Sequence, residues 1–500
     1  MNRMLLTMPV VVSLIARVPP VLGGDLAVPP ANEGPATEES AMHTEGCPNW
    51  PGQNCNGIDV MLGQLYGFSH QTRLGTYPNG ETGFSAATTS CNNGVVRVPW
   101  FAPMNVNHPG ITINLFRLAQ GRLTHIGGHW MKHGFTALAS NQCGFGCEGC
   151  GGTQLCIGCS DTYGAGTNAS RTYLGPRKEW NPFTGVWNCV GSHFSGGMPD
   201  CTRRHSSSGH AATDHYTRVA DQDLLTPGAQ YFYDGYYVVR DDLDLHNSVG
   251  YKSVTFSWNG SSWSASSSGS TTPPTYGVIL NPNVWGDEHV LADTTGEGGE
   301  VHLAVKTTDN GNGTWHFEYA VYNLNYHRRV RSFSVPKSAG TNITNIGFHG
   351  PPLEEQSQTP WTVTVDASSC TWATDTYNQD PNANAIIFGS LYNFWFDADA
   401  EPAPSEVSME PFLPAADDGA LTVLTASITG PSAAGGPCGD FDGDGDVDLT
   451  DFTQFQLCFG GSNNPPAATC PPGVDADCDG DGDVDLADFL VFQQNFTGSM

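Results

Sequence analysis

The chain of 500 residues, with 39% hydrophobic residues, Gly 60 and Pro 34, has room for two or three domains and a full-sized core, and this composition excludes a disordered chain. Its formal net charge of −30 leaves nothing to neutralise a row of phosphates or an anionic bilayer surface, which argues against nucleic-acid and membrane partners.

Residues 1–23 predict an export signal. Arg3 lies in a short basic region, residues 4–16 are mostly apolar, and small residues follow at Gly23 and Gly24. The apolar run is too short to span a bilayer, and no later stretch has the length, so cleavage and a secreted protein are expected. The 15 cysteines agree with an oxidising compartment. Residues 24–46, with Pro30, Pro35, Glu38 and Glu39, read as a flexible leader.

The body, residues 47–429, is expected to be mainly β. In Val301-His302-Leu303-Ala304-Val305 apolar residues alternate with others, and Asp309-Asn310-Gly311-Asn312-Gly313 follows as a turn. Trp315, Phe317, Tyr319 and Val321 then alternate with His316, Glu318, Ala320 and Tyr322, which completes a hairpin with an aromatic face. Val254-Thr255-Phe256-Ser257-Trp258 before Asn259-Gly260 predicts a second hairpin. Trp361-Thr362-Val363-Thr364-Val365 and Leu391-Tyr392-Asn393-Phe394-Trp395-Phe396 add strands. Many short strands with Gly and Asn turns predict a β-sandwich or jelly-roll body in two lobes. The Ser/Thr/Gly/Pro stretch at residues 266–274 places the lobe boundary near 265–275 or marks one long loop.

Three groups of side chains in the body bear on chemistry. Cys143, Cys147, Cys150, Cys156 and Cys159 form a dense cluster, and Cys147, Cys150, Cys156 and Cys159 have the spacing of a zinc knuckle. Export favours disulfides there instead. His125, His129 and His133 are spaced by four. On a strand His125 and His129 would be about 13 Å apart, too far for one ion, and Gly127-Gly128 oppose a helix. His205, His210 and His215 fall in a Ser/Gly-rich stretch and read as a solvated loop, so zinc or copper in the body is an alternative that is not favoured. A glycosidase needs two carboxylates flanking a cleft. Glu179, Glu318, Asp234, Asp241, Asp242 and Asp244 are candidates that sequence cannot bring together. No nucleophile-elbow, zincin or phosphate-loop motif occurs.

Leu174-Gly175-Pro176-Arg177 with Asn181-Pro182-Phe183-Thr184-Gly185, Gly228-Ala229-Gln230-Tyr231-Phe232, and Asn382-Ala383-Asn384-Ala385 resemble segments of a family of secreted planctomycete-type bacterial proteins, as does Asp397-Ala398-Asp399-Ala400. That resemblance carries no activity with it.

A linker at residues 430–437 leads to residues 438–500, which hold 13 Asp and no Glu, Lys or Arg. Two 12-residue loops repeat there, starting at Asp440 and at Asp477. In the first, Asp440, Asp442, Asp444, Asp446 and Asp451 occupy loop positions 1, 3, 5, 7 and 12; in the second, Asp477, Asp479, Asp481, Asp483 and Asp488 do. Carboxylates at positions 1, 3 and 5, Gly at 6, a backbone carbonyl at 7 and a closing acid at 12 suit one Ca²⁺ per loop. Val447 and Val484 are placed to pair the loops. Leu449, Phe452, Phe455 and Phe459, matched by Leu486, Phe489, Phe492 and Phe496, predict an apolar helix face used twice. Two loops each followed by one helix, with Asp rather than Glu at position 12, resemble the type I dockerin family. The resemblance implies a small α-helical module holding two Ca²⁺ and docking onto a cohesin-like partner. It maps partner selection to Leu449, Thr450, Leu486 and Ala487. Since dockerins commonly accompany carbohydrate-active enzymes, it implies a body acting in extracellular polysaccharide breakdown or binding. A non-catalytic structural or adhesive component, or a His-based metal oxidoreductase, are the alternatives.

Overall fold

The computed structural model describes residues 57–498 apart from 102–103, 134, 207, 269–276, 339, 416–419, 432–437, 443–445, 472–473 and 480. The expected export signal and leader lie outside the described residues, as do Asp444 and most of the linker.

The body is mainly β, as its alternating segments require, and its strands form four principal sheets that stack as layers. The first layer contains Val60–Leu74, Glu81–Asn92, Ser160–Tyr163 and Thr217–Ala220. The second has eight strands, with Gln230–Val238 and Val249–Trp258 at its centre and Trp263–Ser268 at one edge. The third runs in the order Glu288–Leu291, Val301–Asp309, Trp315–Asn323, Ser390–Ala398, Ile343–His349. The fourth runs Thr362–Val365, Ser369–Ala373, Ser332–Pro336, Pro402–Met409, Leu424–Pro431. Both hairpins read from sequence are present, with Asp309 opposite Trp315 and Trp258 opposite Trp263. The last strand of the body extends through Pro431, two residues into the segment expected to be linker, because Pro402 and Ala403 pair with Pro431 and Gly430.

Period-2 alternation explains how one strand serves two cores. In Gln230–Val238, Tyr231, Tyr233 and Tyr237 face the first layer, while Phe232, Tyr236 and Val238 face the third. In Trp315–Asn323, Phe317, Tyr319 and Val321 pack against Phe333, Trp372 and Val407 of the fourth layer. From the same strand, Ala320 and Tyr322 turn the other way to meet the second layer. The two middle layers are therefore covered on both faces. The first two layers come from residues 60–268 and the last two from 288–431, so the central core is the seam between the halves of the chain.

That seam also contains a buried polar knot. Arg177 is fully buried and donates from Nη2 to Asn114 Oδ1 (2.5 Å) and to the His129 carbonyl (2.9 Å). It also donates from Nη1 to the carbonyls of Phe388 and Gly389, both at 3.3 Å. Asn114 in turn donates from Nδ2 to Asp234 (2.9 Å), whose carboxyl burial pushes up to about 6. Arg122 of the second layer ion-pairs with Glu318 of the third and lies 3.4 Å from the Trp395 ring centroid.

The cysteine cluster is a disulfide knot. Cys91–Cys143, Cys147–Cys159 and Cys150–Cys156 pin the Gly-rich segment onto the first layer, so those sulfurs are not a zinc knuckle. Cys189–Cys201 closes a second loop. The four cysteines after residue 437 pair among themselves, as Cys438–Cys478 and Cys458–Cys470, leaving Cys370 as the free thiol among the described residues. Cys370 is buried, and burial pushes its thiol up to about 12, which keeps it unreactive.

Candidate functional site

In the C-terminal module, helices Leu449–Cys458 and Leu486–Gln494 each follow one acidic loop. Each helix starts with a capping box. Asp448 accepts from the Thr450 N–H (2.6 Å) while Asp451 reaches back to the Asp448 N–H (2.9 Å); Asp485 and Asp488 repeat the pattern. Asp451 and Asp488 are thus both the closing acid of a loop and the third residue of a helix. Asp440, Asp442 and Asp451 bring oxygens within 4.8 Å of one another, as do Asp477, Asp479 and Asp488. Asp446, Asp448 and Asp451 form a further such group, and Asp448 was not among the expected ligands. Asp477 accepts from the Asp481 and Gly482 N–H groups at 3.1 and 2.9 Å, which folds the second loop around its first carboxylate. Asp483 turns its side chain to accept from the Asn463 N–H.

Two expectations for the module need correction. Val447 does not clasp Val484. The Val447 carbonyl accepts from the N–H groups of Thr497 and Gly498 (3.0 and 3.1 Å), and the Val484 carbonyl from those of Gly460 and Gly461 (3.0 and 2.9 Å), so each loop holds the tail of the other half's helix. The apolar stripe also divides. Phe455 and Phe492 are buried and pack with Phe441, Phe452 and Phe489, but Leu449 and Leu486 are 71% and 68% exposed, and Phe459 and Phe496 lie beyond the helix ends.

In the body, a cavity of about 620 Å³ is lined by Trp130, Lys178, Glu179, His193, Glu354, Glu355, Gln356 and Asn382 among others. Glu179, one of the six candidate carboxylates, is here. Its Oε1 accepts from the His193 N–H (2.7 Å), and burial raises its carboxyl to about 7. Glu355 accepts from the Lys178 N–H (2.8 Å), and burial raises it as well. Glu354 accepts from both the N–H and the Nδ1 of His215, at 2.9 and 3.0 Å. The Trp130 ring stacks on His215 with centroids 3.7 Å apart.

His205, His210 and His215 are not a solvated loop. His215 is buried, held by Glu354 and Trp130, and its φ of +71° is a backbone state rare outside glycine. The others gather around it, with ring centroids 4.5 Å apart for His210 and His215, and 4.1 Å for His193 and His205. One nitrogen each of His193, His205 and His215 lies within 4.8 Å of the others. Burial, aided by the neighbouring imidazoles, lowers His193 to about 3, so the ring is neutral.

The remaining candidates serve the scaffold. His125, His129 and His133 are buried and hydrogen-bonded to the carbonyls of Gly127, Trp130 and Asn105. Asp234 belongs to the Arg177 knot, and Glu318 pairs with Arg122. Asp242 accepts from the Val60 N–H, Asp244 accepts from the His246 N–H, and Asp241 is an exposed turn residue. Elsewhere Glu300 accepts from both His246 (2.8 Å) and His302 (2.7 Å), which spends those Nε2 atoms on the carboxylate. Sequence reading missed Trp130, His193, Glu354 and Glu355. A histidine between Cys189 and Cys201 in a Gly-rich loop, and adjacent acids after Pro351-Pro352, were the available signals.

No protein-family model and no curated protein matches the chain. It is similar to solved structures of the Amycolatopsis orientalis exo-chitosanase CsxA. A complex of that protein with PNP-beta-D-glucosamine is 10% identical, with a TM-score of 0.14, over 69% of this chain and 25% of that one. The crystal structure of the exo-chitosanase is 11% identical, again with a TM-score of 0.14, over 73% and 26%. The chain spans about a quarter of the length of those structures, and a likeness this slight carries no argument. Among the described residues no helix is long and apolar enough to cross a membrane.

Proposed function

We propose that this is a secreted protein whose C-terminal module is a calcium-loaded dockerin that attaches the β-rich body to a cohesin-like partner. The observation that carries this reading is the exposure of Leu449 and Leu486 at the same point of two matched loop–helix units, beside Thr450 and Ala487, while Phe455 and Phe492 turn inward. Leucines so placed on a strongly acidic module mark a contact face. Pull-down from the secreted fraction with and without EDTA tests it. A calcium-dependent partner is expected to survive Leu449→Asp alone and to be lost, by about 2 kcal/mol or more, with Leu449→Asp and Leu486→Asp together. Full retention by the double variant, or no calcium-dependent partner, removes the reading.

For the body we propose extracellular polysaccharide binding or breakdown in the cleft at Trp130. Its volume is that of a ligand pocket, and Trp130 with Lys178 and Asn382 offers a ring and hydrogen-bonding groups to a hydroxyl-rich chain. In affinity electrophoresis on gels containing soluble polysaccharides, the protein is expected to be retarded by at least one of them. Trp130→Ala with Asn382→Ala is expected to weaken that retention about tenfold. Mobility unaffected by every polysaccharide in a broad panel, or retention unchanged in the variant, overturns the assignment to this cleft.

A further inference from the structure

We propose that His193, His205 and His215 hold one divalent transition-metal ion, of the zinc or copper class, on the wall of the cleft, with one coordination position left open towards the cavity. This site stands apart from the calcium loops, whose ligands are all oxygens, and it does not depend on the docking reading.

The geometry assigns the nitrogens. The His205 Nε2 lies 3.0 Å from the Arg171 carbonyl. A carbonyl only accepts, so Nε2 carries the proton and Nδ1 is left with the lone pair. The His215 Nδ1 lies 3.0 Å from a Glu354 oxygen, so by the same reasoning Nδ1 is protonated and Nε2 has the lone pair. That Nε2, and the Nε2 of His193, are buried without a hydrogen-bond partner. Two orphaned ring nitrogens side by side in one wall are costly to leave unsatisfied, and a cation shared with His205 satisfies both. Four-coordinate zinc at about 2.0–2.1 Å from each nitrogen needs neighbouring nitrogens about 3.3 Å apart, which rings within 4.8 Å reach by small rotations.

The surroundings match a metal site beyond its ligands. Glu354 takes the distal N–H of His215, the carboxylate–histidine arrangement that fixes tautomer and ring orientation at metal centres. Trp130 stacks on the same ring and blocks its rotation. His193 is fixed from behind by Glu179 at its backbone, between the ends of the Cys189–Cys201 bridge. Three imidazole nitrogens select a borderline transition ion over Ca²⁺ or Mg²⁺, and three protein ligands rather than four leave room for a water or a substrate oxygen. His193 itself lines the cavity, so the open position faces the cleft and not the core. The triad of His246, Glu300 and His302 lacks these features, because Glu300 already takes up both histidine Nε2 atoms.

The test uses the full chain, stripped with EDTA and returned to saturating Ca²⁺ so that the acidic loops are filled. Zn²⁺ titrated by calorimetry is expected to bind with one equivalent, and Co²⁺ to give the visible absorption of a four-coordinate nitrogen site. His193→Gln and His205→Gln are each expected to weaken Zn²⁺ binding by at least about tenfold. Glu354→Gln is expected to weaken it about 10–100-fold, and His302→Gln to leave it unchanged. Zn²⁺ is also expected to raise the melting temperature of the wild type but not of His193→Gln. That comparison separates lost ligation from a damaged fold. No stoichiometric Zn²⁺ or Co²⁺ binding, or binding retained by the double variant His193→Gln and His205→Gln, overturns the proposal.

Discussion

Withdrawing Ca²⁺ from the full chain is expected to strip hydrogen-exchange protection from Leu449–Cys458 and Leu486–Gln494 while leaving the strands of the body protected. Residues 438–500 carry 13 Asp without one basic residue, and the two Ca²⁺ ions proposed for the loops would supply four compensating charges. The effect reaches the helices because Asp451 and Asp488 belong to both loop and helix. When the loop opens by self-repulsion, the third residue of the capping box leaves with it, and the first turn loses its N-terminal satisfaction. At a thousandfold excess over its dissociation constant, each Ca²⁺ contributes about 4 kcal/mol, a large share of what a module of this size holds. The bridges Cys438–Cys478 and Cys458–Cys470 limit how far the chain expands, so EDTA with a reductant is expected to abolish residual protection that EDTA alone leaves. Unchanged exchange of both helices in EDTA would show that the loops are not calcium sites.

Arg177→Met is expected to cost the body about 3–5 kcal/mol, read as a lowered urea midpoint. The guanidinium is fully buried at the seam between the second and third layers and serves Asn114 and the carbonyls of His129, Phe388 and Gly389. Methionine fills much of the space but donates nothing, so those acceptors and the negative charges of Asp234 and Glu355 lose their partner. The sign of the pH dependence follows from Asp234. Its folded-state carboxyl already sits at about 6, above the unfolded value near 4, and losing Arg177 raises it further. A raised carboxylate penalises the fold increasingly as pH climbs from the unfolded towards the folded value, and levels off above it. Below about pH 6 Asp234 is protonated in both folded forms, so the deficit of the variant is expected to grow only from about pH 6 upward. A deficit under about 1 kcal/mol, independent of pH, would show that the knot is not under electrostatic load.

The parts of the fold that sequence made legible are those whose signals are contiguous. Val301 to Val305 and Trp315 to Val321 alternate on either side of a Gly/Asn turn, and both became strands of one hairpin. The gathering of the acidic loops was legible for the same reason, since their carboxylates lie within twelve consecutive residues. The layer order was not. In Gln230–Val238 nearly every position is apolar or aromatic, which says that both faces are covered but not by what. The cleft was illegible because Trp130, Glu179, His193, His215 and Glu354 meet only through the stacking of layers. The Ser and Gly around His205 and His210 described a solvated stretch, yet Glu354, 139 residues beyond His215, draws that stretch into the wall. The stripe from Leu449 to Phe459 misled at its ends: Leu449 is the first residue of the helix and exposed, and Phe459 is the residue just after its last.

The central seam has a consequence for how this chain can be cut or recombined. Each half owns one complete core, between first and second layers or between third and fourth, so by that measure either half looks able to fold alone. Yet the strands that close each core carry, on their reverse side, residues that pack into a core shared with the other half: Phe116, Phe232 and Tyr236 on one, Ala320, Tyr322 and Leu391 on the other, with Arg177 between them. Dissected at residues 269–276, each fragment would present a flat aromatic sheet face to water, with unsatisfied polar groups at its centre. Such fragments stick to themselves or to each other. Recombination would meet the same barrier: the four layers are expected to move only as one unit, whereas the acidic module, closed by its own two disulfides, is expected to be separable.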